Sequence, residues 1–268
     1  MNFKNCRNDI FEGPEVRKKI TLSKEYIKVK RKETGALSFG GDQNFFAKED
    51  ACELDIRKQK CGCGIVAFAD LLLYLGTVNR CYSAEETKNY VNHILSEEEY
   101  KKYYNRMYDF MGGIKGKVGI SGLKIQRSFN RMARREHWSL RAKWGFSAKK
   151  LYSRIEEMLS RDIPVICCIP MMVLKKDKND YLQLYQWQSN DTLQCTQQES
   201  MQKDGLQKVA YTRAHYVVIT GIHVIEEEIF YEVSSWGKKF YISRKEYDDF
   251  IRKHFLGILL GNILYIYQ

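Results

Sequence analysis

The stretch CGIVAFADLLLYLG, residues 63–76, predicts a helix that is apolar on nearly every side. A helix of this kind is normally buried in a protein core, and Gly76 provides a C-terminal stop. At 1.5 Å of rise per residue, residues 63–75 would extend over about 20 Å, which is enough to cross a small domain. We therefore expect a buried helix here, with Cys63 as its first residue.

Helical patterns follow this stretch, and strand patterns come after them. Helices are predicted over residues 83–111 and 121–135 and from Ser147 onward, and capping boxes at Ser83 and Ser96 support the first of these. The strand-like runs are VICCI after Pro164, HYVVITGI, IFYEVSS and KKFYIS. Because helices dominate the first half and strands the second, the sequence predicts an α+β fold rather than alternating βαβ units.

The remaining segments set the domain boundaries. Residues 1–55 are charged and weakly periodic, with a glycine-rich loop at 35–41, and we interpret them as an extension outside a domain of residues 56–268. Residues 175–212 are polar and rich in Gln, which predicts a long loop or hairpin. Residues 1–20 contain no apolar segment typical of a secretory signal, so the predicted location is the cytoplasm. No run approaches about 18 apolar residues, so no membrane span is expected.

The charge and the cysteines limit the partners. The chain carries 44 Lys and Arg against 33 Asp and Glu, a net charge of +11, which favours acidic partners. Without a secretory signal, its 8 cysteines are expected to be reduced thiols rather than a disulfide framework. Cys61 and Cys63 form a C-x-C pair, but no second pair has zinc-ligand spacing. We therefore expect no metal and no cofactor.

Cys63 is the first candidate for chemistry. A thiol at the start of a helix lies at the positive end of the helix dipole, which favours the nucleophilic thiolate. The N–H of Cys63 lies in the first turn, where it has no helical partner, and it can donate to an oxyanion. The flanking Gly62 and Gly64 would let a substrate approach the backbone closely. The alternative is a small buried hydrophobic residue in a tight turn.

His215 is the second candidate, because it opens the strand HYVVITG where a polar segment becomes buried. A cysteine with a distant histidine is a candidate nucleophile and base, and a third group should orient the imidazole. Ser234, at the end of the next strand, supplies a hydroxyl for this role, and Trp236 can cover the site and exclude water. The alternatives are a structural strand-end histidine and a tryptophan of the core.

Together these segments resemble the papain-like cysteine peptidases, and most closely the bacterial branch that trims leader peptides from exported bacteriocins. The resemblance covers roughly residues 55–250. The matching motifs are Cys63-Gly64 with Ala67 and Tyr74-Leu75-Gly76, Asp162-Ile163-Pro164-Val165, His215–Gly221, and Ser234-Ser235-Trp236-Gly237. The resemblance implies a papain-like α+β fold in which the nucleophile helix packs on an antiparallel sheet. It also implies a peptide substrate.

The mechanism that the resemblance implies is that of a thiol-dependent peptidase or acyl transferase. Cys63 and His215 would form a thiolate–imidazolium pair, Cys63 would attack an acyl carbon, and His215 would protonate the leaving group. Water or another acceptor would then release the acyl-enzyme. Hydrolysis and acyl transfer share every step but the last, so the sequence leaves both open.

The chain departs from the family at two positions. Ser234 stands where the family has Asn or Asp, or Ser235 if the alignment shifts by one residue. Arg57 stands at the usual place of the oxyanion glutamine, and Gln59 follows two residues later. We therefore expect the N–H of Cys63, together with Gln59, to hold the oxyanion. The serine also leaves open a second function, a catalytically inactive papain-like binding module.

A third function, nucleic-acid binding, follows from the basic segment 124–143. Basic residues with interleaved aromatic residues suit phosphate contact and base stacking. The basic residues are Lys124, Arg127, Arg131, Arg134, Arg135, Arg141 and Lys143. The alternative is a solvated helix face, which is favoured because no helix-turn-helix, zinc-finger or RNA-recognition signature accompanies it. The same face could recruit an acidic peptide substrate.

Overall fold

The computed structural model describes residues 16–47, 49–91, 93–116, 119–145, 148–170, 181–187, 205–253 and 262–268. The predicted central helix is present over Cys63–Val78, and all its residues from Cys63 to Gly76 except Val66 are buried. The large sheet packs on one part of this helix, and a second helix packs on another. Because protein surrounds the helix, it has no wide solvent face, which explains why its sequence is apolar on nearly every side.

The described ranges contain six helices. They are α1 (Glu53–Cys61), α2 (Cys63–Val78), α3 (Glu97–Phe110), α4 (Gly122–Arg135), α5 (Ala148–Ser160) and α6 (Arg244–Arg252). Short 3₁₀ turns lie at Gln43–Phe46 and Arg80–Tyr82. None of the six helices is by itself long and apolar enough to cross a membrane, although α1 and α2 together reach that length and composition as a pair bent by 71°.

The strands of the described ranges form one large sheet and two small ones. They are β1 (Val16–Thr21), β2 (Val29–Lys30), β3 (Leu95–Ser96), β4 (Arg141–Trp144), β5 (Val165–Ile169), β6 (Leu182–Trp187), β7 (Leu206–Thr212), β8 (His215–Ile225), β9 (Glu228–Ser235), β10 (Lys238–Ser243) and β11 (Leu264–Tyr267). The large sheet has the order β1-β8-β9-β10-β6-β7, and β5 also pairs with β8. All its pairings are antiparallel. The predicted α+β class is therefore confirmed.

The long strand β8 organises this sheet. Its first half pairs with β5 from His215 to Ile219, and its second half pairs with β1 from Gly221 to Ile225. The four strand-like runs of the sequence correspond to β5, β8, β9 and β10. The predicted loop or hairpin at 175–212 contains β6 and β7, which pair as a hairpin. The segment that joins them lies outside the described residues.

The helix predicted over residues 83–111 begins only at Glu97. The preceding residues form turns and then strand β3, which pairs with β2. Because the extended backbone of a strand cannot belong to a helix, α3 starts directly after it. The capping box at Ser96 marks this start: Ser96 Oγ accepts from the N–H of Glu99 at 3.3 Å, and the Glu99 carboxylate accepts from the N–H of Ser96 at 2.8 Å. The box predicted at Ser83 starts no helix.

In contrast to the predicted outer extension, residues 16–47 contribute to the sheet and the core. β1 pairs antiparallel with β8 inside the large sheet. The main hydrophobic core also contains Tyr26, Ile27, Val29, Phe45 and Phe46. Charged residues between these apolar positions obscure the pattern in the sequence. Residues 1–15 lie outside the described part of the chain.

Candidate active site

A cavity lies where the first turn of α2 meets the start of β8 and the end of β9. Four residues predicted for the site, Cys63, His215, Ser234 and Trp236, line this cavity, and so does Ser235. The two candidate reactive side chains are largely enclosed, because Cys63 is 9% exposed and His215 is 6% exposed. The fold thus brings together side chains that are far apart in the sequence.

The bend at Gly62 makes Cys63 the first residue of its helix. Gly62 is the single residue between α1 and α2, whose axes are bent by 71°. A Cβ on Gly62 would collide with the carbonyl oxygen of Lys58, and one on Gly64 would lie 2.7 Å from the side chain of Ile120. Both glycines are therefore required for close packing. This differs from the prediction that they leave the backbone open to a substrate.

Burial controls the ionisation of the Cys63 thiol. Removal from water raises the pKa of Cys63 to about 11, although backbone N–H groups of Tyr216 and Gly64 act in the opposite direction. The hydration free energy that a thiolate loses in an enclosed site is larger than the stabilisation that these N–H groups provide. The thiol is therefore protonated at neutral pH, in contrast to the thiolate expected from the position of Cys63 at a helix start.

His215 is held between a serine and a tryptophan. Its Nε2 lies 2.7 Å from Ser235 Oγ, and its ring stacks on that of Trp236, with centroids 4.6 Å apart and planes at 22°. Burial lowers the pKa of His215 to about 4. The imidazole is therefore neutral at neutral pH, with its plane fixed from two sides.

The tight turn between β9 and β10 places Trp236 over the imidazole. Trp236 and Gly237 both have positive φ, 49° and 65°, and they join paired residues Ser235 and Lys238. Two-residue hairpin turns with two positive φ values favour Asn-Gly, and a large side chain at the first position is unusual. This conformation holds the indole ring against the imidazole of His215.

The two neighbouring serines have different partners. Ser235 contacts the imidazole, whereas Ser234 Oγ donates a hydrogen bond to the carbonyl oxygen of Phe39 at 2.8 Å. The group that orients His215 is thus Ser235, the residue that the sequence offered only for a shifted alignment. Ser234, predicted as the third catalytic residue, lines the same cavity but holds a backbone segment of the N-terminal region.

The structure offers Gln43 rather than Gln59 as a glutamine at the cavity. Gln59 lies within α1 and is not among the cavity-lining residues, whereas Gln43 lines the cavity from the 3₁₀ turn after Gly41. Arg57, at the family position of the glutamine, pairs with Glu53 at 2.7 Å on the outside of α1. No local pattern in the sequence marks Gln43, because its approach to Cys63 depends on tertiary packing.

Asp70 is a further cavity residue that the sequence analysis missed. It lies about two helical turns after Cys63 on α2 and is 1% exposed. Its Oδ1 accepts from the hydroxyl of Tyr100 at 2.7 Å, and its Oδ2 accepts from the N–H of Gly41 at 2.9 Å. Burial raises the pKa of Asp70 to about 7. A single acidic residue inside an apolar helix is the signal that could have identified it.

The basic face of α4 is largely used for contacts within the chain. Lys124 Nζ donates to the carbonyl oxygen of Gly113 at 2.6 Å, just beyond the end of α3. The guanidinium of Arg131 lies 4.1 Å from the ring centroid of Phe110, and Arg135 pairs with Glu86. These cations stabilise the end of α3 and the turns before it, so fewer of them face a partner than the sequence suggested.

No group of three or more His, Cys, Asp or Glu side chains within the described ranges is arranged to hold a metal ion. Comparison of the chain with protein-family models, with curated proteins and with solved structures gave no match. The cavity itself is therefore the feature that points to a function. It contains a thiol, an imidazole with a fixed orientation, and a glutamine.

Proposed function

We propose that this chain is a papain-like, thiol-dependent peptidase or acyl transferase that cleaves a peptide or amide bond through an acyl-enzyme on Cys63. One observation carries the proposal: Cys63 and His215 line one enclosed cavity, and Ser235 holds the imidazole through Nε2 at 2.7 Å. A nucleophile, a base and a group that orients the base are the elements of covalent acyl transfer. Trp236 excludes water from the imidazole.

The resting dyad in this proposal is a neutral pair. Burial raises the pKa of Cys63 to about 11 and lowers that of His215 to about 4, so both shifts oppose a resting thiolate–imidazolium pair. This role requires the tautomer in which Nε2–H donates to Ser235 Oγ, which leaves Nδ1 of His215 as the proton acceptor. His215 then acts as a general base during attack instead of holding a preformed thiolate.

The reaction proceeds in two acyl-transfer steps. As Cys63 Sγ bonds to the acyl carbon, its proton passes to Nδ1 of His215, and the carbonyl oxygen becomes an oxyanion. The imidazolium returns this proton to the leaving amine as the C–N bond breaks, which gives the thioester. Water or an acceptor amine, deprotonated by His215, then attacks the thioester, and the thiolate of Cys63 leaves and is reprotonated. Neither step requires a redox partner.

The oxyanion is stabilised by donors near the start of α2. The N–H of Cys63 lies at the first residue of the helix, where the helix dipole also favours negative charge. The side-chain amide of Gln43, which also lines the cavity, supplies the second donor in this mechanism in place of Gln59. Loss of one oxyanion donor typically costs about 100- to 1,000-fold in turnover.

The test is the appearance of new peptide termini in a mixed peptide digest incubated with the full chain, read by mass spectrometry. Cleavage is expected with the wild type and must be lost in Cys63→Ala and in His215→Ala. The matched control is Cys81→Ala, because Cys81 is an exposed cysteine beyond the far end of α2. An acid quench followed by intact-mass measurement detects the acyl-enzyme. Equal cleavage by Cys63→Ala would refute the proposal.

A second candidate is the catalytically inactive binding module, which the neutral state of both reactive groups favours. This candidate predicts that peptides bind with no new termini and no covalent mass on Cys63. Binding measured by fluorescence anisotropy with a peptide pool, alongside the cleavage assay, separates the two. Binding that is equal in wild type and Cys63→Ala, with no turnover in either, would support the binding module.

A further inference from the structure

We propose that Asp70 and Ser234 are positioning residues that hold residues 39–43, called the strap below, across the cavity, where the strap closes the site and presents Gln43. The strap is part of the N-terminal region that the sequence placed outside the domain. Its first residue, Phe39, is bonded to β9, and Gly41 is bonded to α2. The expected effect of the strap on turnover rests on the proposed function, whereas the position of the strap does not depend on it.

Side chains from the two catalytic elements fix the strap. From the nucleophile helix, Asp70 Oδ2 accepts from the N–H of Gly41 at 2.9 Å. From the strand that carries Ser235, the hydroxyl of Ser234 donates to the carbonyl oxygen of Phe39 at 2.8 Å. The strap therefore joins the element of the nucleophile to the element that orients the base.

Backbone hydrogen bonds tie the strap to the turn that carries Trp236. The N–H of Phe39 donates to the carbonyl oxygen of Gly237 at 2.9 Å, and the N–H of Gly237 donates to the carbonyl oxygen of Gly41 at 3.1 Å. Gly237 follows the tryptophan that stacks on His215. A displacement of the strap would therefore also release the turn that covers the imidazole.

Gly40 shows how closely the strap passes between its two anchors. It has a φ of +81°, and a Cβ at this position would collide with both Ser234 Oγ and Asp70 Oδ2. A Cβ on Gly41 would similarly collide with the hydroxyl of Tyr100, the other partner of Asp70. The strap can occupy this path only with glycine at both positions.

Asp42 then fixes the direction in which the chain leaves the strap. Its Oδ1 accepts from the N–H of Asn44 at 2.8 Å, which caps the 3₁₀ turn that begins at Gln43. Its Oδ2 accepts from Arg31 at 2.8 Å. The side chain of Gln43 is thus presented to the cavity by a segment fixed on both sides, although it belongs to no long helix or strand.

The decisive variants are Asp70→Ala and Ser234→Ala, each of which removes one anchor. Asp70→Asn is the conservative variant, because its amide oxygen can still accept from Gly41 while its amide group donates to Tyr100. Tyr103→Phe is the matched control: it removes a buried hydroxyl that donates to the carbonyl oxygen of Ala69 on α2 at 3.0 Å.

Hydrogen–deuterium exchange of the full chain measures the strap directly and needs no substrate. Both alanine variants should exchange the amides of Gly40 and Gly41 roughly 10-fold faster, as expected for loss of one hydrogen bond from a closed state. The amides of β8 and β9 should keep their protection. Alkylation of Cys63 should also become faster in both, whereas Asp70→Asn and Tyr103→Phe should match the wild type.

Unchanged strap exchange in Ser234→Ala, the milder variant, would overturn the proposal, as would equally fast exchange in Tyr103→Phe. If Asp70→Ala fails to fold, Ser234→Ala and Asp70→Asn still give the decisive comparison. In the peptide assay, strap release should lower kcat through the displacement of Gln43, and Asp70→Asn should restore it. A strap that opens as expected in a chain without peptide turnover would refute the proposed function and leave the strap assignment intact.

Discussion

The reactivity of Cys63 towards an alkylating reagent should be far below that of an ordinary cysteine, and it should not depend on His215 in the resting protein. Burial raises the pKa of Cys63 from 9.0 to about 11. Two units of pKa lower the thiolate fraction at neutral pH by about 100-fold. The thiolate is the reactive form, and the 9% exposure of Cys63 slows the reagent further.

The assay is pulsed labelling with iodoacetamide between pH 6 and pH 10, with each cysteine read by peptide mass spectrometry. The exposed Cys52 and Cys81 of the same molecule serve as internal controls. At pH 7 the labelling of Cys63 should be at least about 100-fold slower than that of these controls. Its rate should rise about tenfold per pH unit through pH 10, and His215→Ala should not lower it.

Rapid labelling of Cys63 at pH 6 to 7, lost in His215→Ala, would refute this reasoning. It would show that a thiolate–imidazolium pair exists at rest, and that interaction between the two charges exceeds the cost of burying them. Labelling should be recorded together with amide exchange of β8, because local unfolding would also expose the thiol. Fast labelling with β8 protected is the outcome that contradicts the neutral dyad.

Three further predictions concern the neighbours of the dyad. Ser235→Ala should lower the free energy of unfolding by about 1 to 3 kcal/mol, because the buried Nε2 of His215 loses its partner; denaturant unfolding measures this. The variant should also lower turnover while leaving the amide exchange of the strap unchanged. Trp236→Asn suits the positive φ of 49° but removes the ring that stacks on His215, so the pKa of His215, followed by NMR, should move up towards its ordinary value as water enters. Folding raises the pKa of Asp70 from 3.8 to about 7. The protonated Asp70 side chain therefore stabilises the folded state fully below pH 3.8, and this stabilisation is lost as the pH rises through 7. Relative to the wild type, Asp70→Asn should therefore gain a few kcal/mol in unfolding free energy between pH 4 and pH 8, at about 1.4 kcal/mol per pKa unit, and parallel pH profiles of the two proteins would contradict this.

The parts of the fold that could be predicted from the sequence depend on local patterns. The apolar run of α2 and the strand-like run of β8 placed Cys63 and His215 at element starts. The start of α3 was predicted at residue 83, although the capping box at Ser96 is the local signal at its actual start. The choice between Ser234 and Ser235 could not be made in the same way. The side chains of adjacent strand residues point to opposite faces of the sheet. Only the tertiary structure shows which of the two serines contacts the imidazole.

The parts that could not be predicted depend on contacts between distant segments. The strap reaches Ser234 across 195 residues and Asp70 across 29 residues, and neither contact leaves a periodic signal in the sequence. The pairing of β2 with β3 overrides the helical pattern before Glu97 for the same reason. Gln59 is the glutamine that the sequence offers near Cys63, whereas the approach of Gln43 to the cavity depends on how the strap packs.

The distance along the chain between the walls of the cavity has a consequence for biosynthesis. During translation the strap and the nucleophile helix emerge first, and β9, which ends at Ser235, follows much later. Contacts across such long separations form slowly. Until they form, Cys63 is an ordinary solvent-accessible thiol, open to oxidation and to unwanted adducts. Completion of the fold is therefore the event that protects this sulfur, and a nascent or misfolded chain is expected to carry the oxidative damage that the finished protein avoids.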